Sequence, residues 1–187
     1  MKIVVGMTGA SGAIYGVRLL ESLAKHSVET HLVVSQWAKE TLRLETDVSL
    51  ETLHGLASKI YEESDMAASI SSGSFYHDGM VVIPCSMKTL AGIRYGFSQN
   101  LIQRAADVTL KEKRKLVLVP RESPLSSIHL ENMLSLSQMG VFIAPPSPSF
   151  YHQPDSILDI VDFSAMRILD ILGIREESTK RLGDANG

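Results

Sequence analysis

Gly6-Met7-Thr8-Gly9-Ala10-Ser11-Gly12-Ala13 sets a glycine at every third position between an apolar run and a helical pattern. Such a turn lets backbone amides approach an anion, and the helix that follows offers the positive end of its dipole. The chemistry this supports is phosphate binding, of an isolated phosphate or of the phosphate on a flavin. A nucleoside-triphosphate loop is excluded because no Gly-Lys-Ser/Thr follows, and the spacing departs from Gly-x-Gly-x-x-Gly. Ser35-Gln36 argues further against NAD, because it stands where an acid would hold a ribose hydroxyl. For this motif alone, a tight turn that needs glycine only for helix packing stays open.

Further segments carry polar groups. Pro84-Cys85-Ser86-Met87-Lys88-Thr89 offers two hydroxyls, a thiol and an ammonium at a helix start. Ser86 reads equally as a ligand group or a plain N-cap, and Cys85 as a packed thiol with no activating neighbour. Arg104 and Lys111 stand two helical turns apart on one face, with Asp107 between them at ion-pair spacing. Anion binding there competes with a solvated salt-bridge row, which is the reading for Lys113, Arg114 and Lys115. Val119-Pro120-Arg121-Glu122 puts a cation and a carboxylate directly after a buried strand, as a structural ion pair or as functional groups. Phe150-Tyr151-His152-Gln153-Pro154 adds aromatic and hydrogen-bonding groups. Arg167 lies amid Val161, Phe163, Met166 and Ile168, where a buried guanidinium needs an anion unless it snorkels to the surface. The six histidines show no His-x-x-x-His spacing; no metal site is expected, and His129 and His152 read as structural or rim residues.

These groups are far apart in the chain, so the elements between them decide whether they meet. Residues 2–7, 30–34, 80–84, 116–120 and 141–144 are short apolar or β-rich runs, as in strands buried on both faces. Ile14, Val17, Leu20 and Leu23 fall at three- and four-residue steps, with Arg18, Glu21 and Lys25 opposite, which predicts an amphipathic helix. Helical spacing also covers residues 36–44, 50–61, 100–112, 128–139 and 156–172, the last ended by Gly173. Residues 64–79 turn to Ser, Ala, Gly and Asp and read as a functional surface loop. Strands alternating with helices predict an α/β fold whose parallel sheet has helices on both faces. Ligands bind beyond the carboxyl ends of such strands. Those ends are residues 8–12, Ser35, residues 85–89, Arg121-Glu122 and residues 145–151.

The chain has 187 residues, 44% of them hydrophobic, and a net charge of -3. At that length roughly 70% of the unfolded surface can be buried in one domain without a staple or metal. Cys85 is the lone cysteine, so no internal disulfide forms, and a reducing, cytoplasmic compartment is expected. The N-terminus reads as a strand rather than an export signal. No apolar run approaches the roughly 18 residues a membrane span needs. The mildly acidic balance argues against nucleic acid as a partner. What is left is an enzyme or a small-molecule binding domain.

Taken together, the blocks at 6–13 and 84–90, Arg104-Ala105-Ala106-Asp107-Val108, Leu118-Val119-Pro120-Arg121-Glu122, Ile128-His129-Leu130-Glu131-Asn132-Met133 and Phe150-Tyr151-His152 resemble the UbiX/Pad flavin prenyltransferases, formerly labelled aromatic acid decarboxylases. The blocks keep the family's order from Lys2 to about Gly173. The resemblance implies a three-layer, Rossmann-like (flavodoxin-like) domain at 1–174 with a C-terminal tail at 175–187, in a cytoplasmic homododecamer. It implies transfer of the dimethylallyl group of dimethylallyl phosphate to N5 and C6 of reduced FMN, without metal, making prenylated FMN for a UbiD-type decarboxylase. By the family's motif, Gly9, Ala10, Ser11, Ser35, Ser86, Met87, Lys88, Thr89 and Arg121 fall on the FMN site. Arg104, Lys111, Tyr151 and Arg167 fall on the prenyl-phosphate site, partly across subunit interfaces. Ser11, Glu45, Glu122 and Lys111 fall at positions linked to the chemistry. Two family tryptophans have no counterpart here, near Met66 and around Leu182, and Trp37 reads as a helix or interface residue.

The residue inventory suits that reaction. A phosphate leaving from an allylic carbon gathers negative charge, which Lys111, Arg167 and Arg104 would receive. Glu122, or the departed phosphate, is the candidate acid/base, and the flavin supplies the nucleophile. Among alternatives, cysteine-type flavin decarboxylases use a catalytic histidine and a Pro-x-Met-Asn signature, where this chain has Pro84-Cys85-Ser86-Met87. Direct decarboxylation of an aromatic acid would need a further cofactor as electron sink. A non-enzymatic FMN carrier would need Gly9 to Ser11 and Arg121 but not Glu122, Lys111 or Arg167.

Overall fold

The computed structural model describes residues 1–175. Strands β1 (Lys2–Met7), β2 (Glu29–Val34), β3 (Lys59–Tyr61), β4 (Gly79–Cys85), β5 (Lys115–Pro120) and β6 (Phe142–Ile143) alternate with helices α1 (Ala13–Lys25), α2 (Gln36–Glu45), α3 (Leu50–Gly55), α4 (Met87–Tyr95), α5 (Leu101–Lys111), α6 (Ser127–Gln138) and α7 (Ile157–Leu172). All strand pairs are parallel, in the order β3-β2-β1-β4-β5-β6. This is the Rossmann-like order, in which the chain winds outward from β1 on one side and from β4 on the other.

Both faces of the sheet are covered, and the strand residues divide between them by alternation. Ile3, Val5 and Met7 of β1 join Leu19, Leu20 and Leu23 of α1 and Leu169 and Leu172 of α7 in one core. Val4, Met80 and Val82 face Leu101, Ile102, Ala105 and Ala106 of α5 in the other. Each fully buried Leu, Ile or Val contributes about 1.5–3 kcal/mol relative to exposure, so the two slabs hold the strand ends at fixed spacing. Six helices start with a side-chain cap that accepts a first-turn amide, from Ser35, Ser49, Ser86, Asn100, Ser126 and Ser156.

Three expectations need correction. Residues 50–61 are not one helix: α3 stops at Gly55, and Lys59–Tyr61 pairs with β2 as an edge strand. Tyr61 fixes that pairing through its hydroxyl, 2.8 Å from His31 Nδ1 and 2.9 Å from Ser69 Oγ. Residues 64–79 are not an open loop, since Ala68, Ile70 and His77 are buried within them. Arg114 is not in a solvated row: it donates to the carbonyls of Phe75 and Gly73 at 2.7 and 2.8 Å, and Lys115 donates to Ile171 O. The expected tail lies outside the described residues from position 176 onward, as does Leu182.

Candidate active site

The winding reverses between β1 and β4, so their carboxyl ends flank the crevice where parallel sheets take ligands. Thr8 fastens the two sides. Its amide and hydroxyl donate to Pro84 O at 3.2 and 2.8 Å, and the hydroxyl accepts from Ser86 N at 2.8 Å.

The glycine-rich loop is more divided than its spacing suggests. Gly12 caps α1 with φ of 100°, a left-handed conformation that favours glycine. Its amide and that of Ala13 are already taken, donating to Glu45 Oε2 at 2.7 and 3.0 Å. The chain thus closes the α1 N-terminus with its own carboxylate, supplied from the last residue of α2. Partial burial pushes the Glu45 carboxyl up, but the Ser11 hydroxyl, the two amides and the Arg121 charge outweigh this and hold it below the usual carboxylate range. Arg121 reaches the same loop, with Nε 3.1 Å from Ser11 O. The amides of Gly9, Ala10 and Ser11 donate to no described residue.

Gly9 is required by a close approach. A Cβ added there would lie 2.4 Å from Trp37 Cβ and 3.2 Å from Trp37 C, in the first turn of α2. Gly9→Ala must therefore push α2 away from the β1 exit, moving Ser35. The expected outcome is a loss of about 1–3 kcal/mol of stability together with weaker FMN binding, read by thermal melting and flavin fluorescence titration.

On the α4 side of the crevice, Ser86 is the N-cap expected as one of its two readings, accepting from Thr89 N at 3.3 Å. Its hydroxyl donates to Thr89 Oγ1 at 3.1 Å. Ser35 caps α2 from the neighbouring exit, 3.1 Å from Ala38 N. A cleft of about 460 Å³ adjoins both, lined among others by Gln36, Lys39, Glu63, Lys88 and Asn100. That volume falls within the range of small-molecule sites. The first amide of α2 is closed in turn by Glu63, which accepts from Gln36 N at 2.9 Å and Asn100 Nδ2 at 2.7 Å. The donors left for an incoming anion include the Gly9 to Ser11 amides, the start of α4, Lys88 and the rest of the Arg121 guanidinium. This set fits a flavin phosphate better than the Gly12 end of the loop does. Cys85, wholly buried beneath, has its thiol pushed up by burial and is inert as a nucleophile.

A second cavity, of about 290 Å³, opens between α1, α7 and the segment after β6. Tyr15, Pro145, Phe163, Ser164 and Arg167 are among its lining. Arg167 takes the surface alternative of its two readings; its side chain is 58% exposed and pairs with Asp170 at 2.8 Å. Tyr151 meets Phe163 edge-on at 5.6 Å. Glu122 stands exposed at the β5 exit and accepts from Ser123 N at 3.0 Å. It does not pair with its sequence neighbour Arg121, whose charge acts on Glu45 instead.

Arg104 and Lys111 stand apart from these groups. Arg104 donates to Ser71 O at 3.1 Å and to Asp107 at 2.7 Å, and Lys111 is paired with Glu112. Lys111 ends α5, just before β5 opens at Lys115, so it lies by the amino ends of the strands, opposite their exits. Sequence reasoning missed Tyr15, Phe163 and Ser164 in the second cavity and Glu63 in the first. Tyr15 carries a signal only in hindsight: its ring lies over Gly12, within 2.9 Å of where a Cβ would be.

Among the described residues no helix is long and apolar enough to cross a membrane. A protein-family model described as Flavoprotein matches residues 1–169. The chain is similar to the flavin prenyltransferase LpdB of Lactiplantibacillus plantarum, 58% identical over 181 residues, which is 96% of this chain and 97% of LpdB. It is similar to the dodecameric FMN-dependent UbiX-like decarboxylase of Escherichia coli O157:H7, with a TM-score of 0.95 at 58% identity over 97% of this chain and 98% of that one. It is equally similar in structure to a UbiX protein, PadA1, solved in complex with FMN and dimethylallyl pyrophosphate: TM-score 0.95, 51% identity, 96% of both chains.

Proposed function

The chain belongs to the flavoprotein family and, within it, to the UbiX-like flavin prenyltransferases, and we infer that it joins the dimethylallyl group of dimethylallyl phosphate to N5 and C6 of reduced FMN. The product is prenylated FMN for a UbiD-type decarboxylase. The observation that carries this reading is the match over nearly the whole chain to a protein holding both FMN and a dimethylallyl donor. The enzyme assembles as a homo-oligomer, the dodecamer of its E. coli relative. Leu130 and Leu134 of α6, one turn apart and both exposed, give an apolar strip suited to burial between copies. Its place of work is the cytoplasm, which suits a chain whose one thiol is buried.

When bound, reduced FMN supplies the electron-rich positions that receive the prenyl group. The chain's residues bind, orient and neutralise around it. Gly9, Ala10 and Ser11 offer amides, Ser35, Ser86 and Thr89 offer hydroxyls, and Met87, Lys88 and Arg121 complete the cradle. Arg167 and Tyr151 face the second substrate, and Arg167 stabilises the charge that gathers on the leaving phosphate. Arg104 and Lys111 would do so in the site of another copy: Lys111 ends α5 away from its own strand exits, and Arg104 is turned to Ser71 O and Asp107. Ser11 and Glu45 hold the loop in place, and Glu122 moves a proton at its carboxylate.

The test is anaerobic incubation with reduced FMN and either dimethylallyl phosphate or dimethylallyl pyrophosphate, followed by mass spectrometry of the flavin. A flavin heavier by one prenyl group is expected. The apo-protein should also bind FMN and ignore NAD. Tight NAD binding without FMN binding, or unaltered flavin in both incubations, would overturn the reading.

A further inference from the structure

We propose that His152 is a positioning residue, whose ring locks the loop carrying Tyr151 onto Phe163 of α7 and so sets one wall of the cavity that holds Arg167. The inference rests on reading that cavity as the prenyl-phosphate site. The imidazole lies flat on the Phe163 ring, 4.6 Å between centroids at an interplanar angle of 9°. Tyr151 stands edge-on to both rings, at 5.7 Å from His152 and 5.6 Å from Phe163. Phe163 lines the cavity, and Arg167 follows it one turn along the same helix.

The loop's hydrogen bonds to α7 lie at its far end, where the Asp155 and Ser156 amides donate to Asp159 at 2.9 and 2.8 Å. Nearer Tyr151 they are local, from Ser147 Oγ to Pro145 O and from Gln153 N to Phe150 O. Hydrogen bonding does not explain the histidine. Among the described residues both ring nitrogens are buried without a hydrogen-bond partner, which costs the ring its hydration and returns nothing. What the side chain supplies is a flat aromatic face, and three rings packed edge and face hold one another in register. Tyr151 is then presented to the substrate by a rigid cluster rather than by a free loop.

The plate role separates two substitutions. His152→Phe keeps the aromatic face and removes the two unpartnered nitrogens. Calorimetric titration of the FMN-loaded protein should therefore give an affinity for dimethylallyl phosphate within about twofold of wild type, with no loss in melting temperature. His152→Ala removes the plate and should weaken dimethylallyl phosphate by about tenfold, the sum of two aromatic contacts, while leaving FMN affinity unchanged. Should that variant melt before it can be titrated, His152→Leu fills the space without an aromatic face and is expected to show the same loss. Wild-type affinity in the Ala or Leu variant overturns the proposal. So does a Phe variant as weak as the Ala variant, because the nitrogens would then be in use. Wild-type protein that takes up FMN but no dimethylallyl phosphate overturns the assignment of the cavity itself, and the wild-type titration alone reveals it.

Discussion

Arg167→Ala and Lys111→Ala proteins, each assembled alone, are expected to transfer the prenyl group about 10- to 150-fold more slowly than wild type while binding FMN normally. That range is the loss of one hydrogen bond to a charged group, roughly 1.5–3 kcal/mol, felt in the transition state. The informative experiment is to combine them. Arg167 lines the cavity on the α1 and α7 side, whereas Lys111 ends α5 by the amino ends of the strands. One chain cannot bring both to one phosphate, so a site that uses both draws them from different copies. Co-expressing the two variants with different tags, and purifying through both, yields mixed oligomers. With random mixing of equal amounts, roughly a quarter of the sites hold an intact Arg167 and an intact Lys111, so activity should recover to about a quarter of wild type. Mixed oligomers no faster than the parents would place both residues in one copy's site or outside the reaction. Unchanged rates in the single variants would return Arg167 to Asp170 and Lys111 to Glu112 as surface pairs of little consequence.

How much of this can be read in the sequence depends on the reach of each interaction. The strand exits are legible because each is a switch of period followed by a short polar cap, as at Val34-Ser35 and Cys85-Ser86. The edge strand β3 is not, because it directly follows the helical pattern of Leu50 and Leu53 in α3 and exists only by pairing with β2. Arg167 looks buried because its sequence neighbours are apolar, yet a helix turns those neighbours inward and the guanidinium outward. The hold of Glu45 on the α1 amides spans 33 positions and has no local pattern at all. Arg121 and Glu122 fail in the opposite way: adjacency suggests an ion pair, but consecutive residues after a strand point apart. Resemblance supplied Glu45 as a site residue, which spacing alone would not have singled out, whereas Lys111 stands out by its spacing from Arg104.

That separation of Arg121 from Glu122 carries the second large prediction. Of the two carboxylates assigned to the chemistry, Glu45 and Glu122, only Glu122 is placed to exchange a proton. Glu45 is held by a hydroxyl, two amides and a nearby guanidinium, all favouring its charged form, so its carboxyl sits below the ordinary range. The stability this anchoring provides is present above the ordinary carboxylate pKa and is lost only as pH falls through the lowered one. Through the neutral range Glu45 stays charged and takes up no proton. Glu122 is exposed and accepts a single hydrogen bond, from Ser123 N, so most of its lone pairs remain available to substrate. Glu122→Gln keeps shape and removes basicity. FMN affinity should be unchanged and turnover slowed on the order of a hundredfold, the usual scale for losing a general acid or base. Single-turnover measurement with excess dimethylallyl phosphate separates this from weaker substrate binding, because saturation restores the rate only if binding was lost. If Glu122→Gln forms prenylated FMN at the wild-type rate, proton transfer belongs to the departing phosphate. Glu122 then does no more than turn the chain at Ser123.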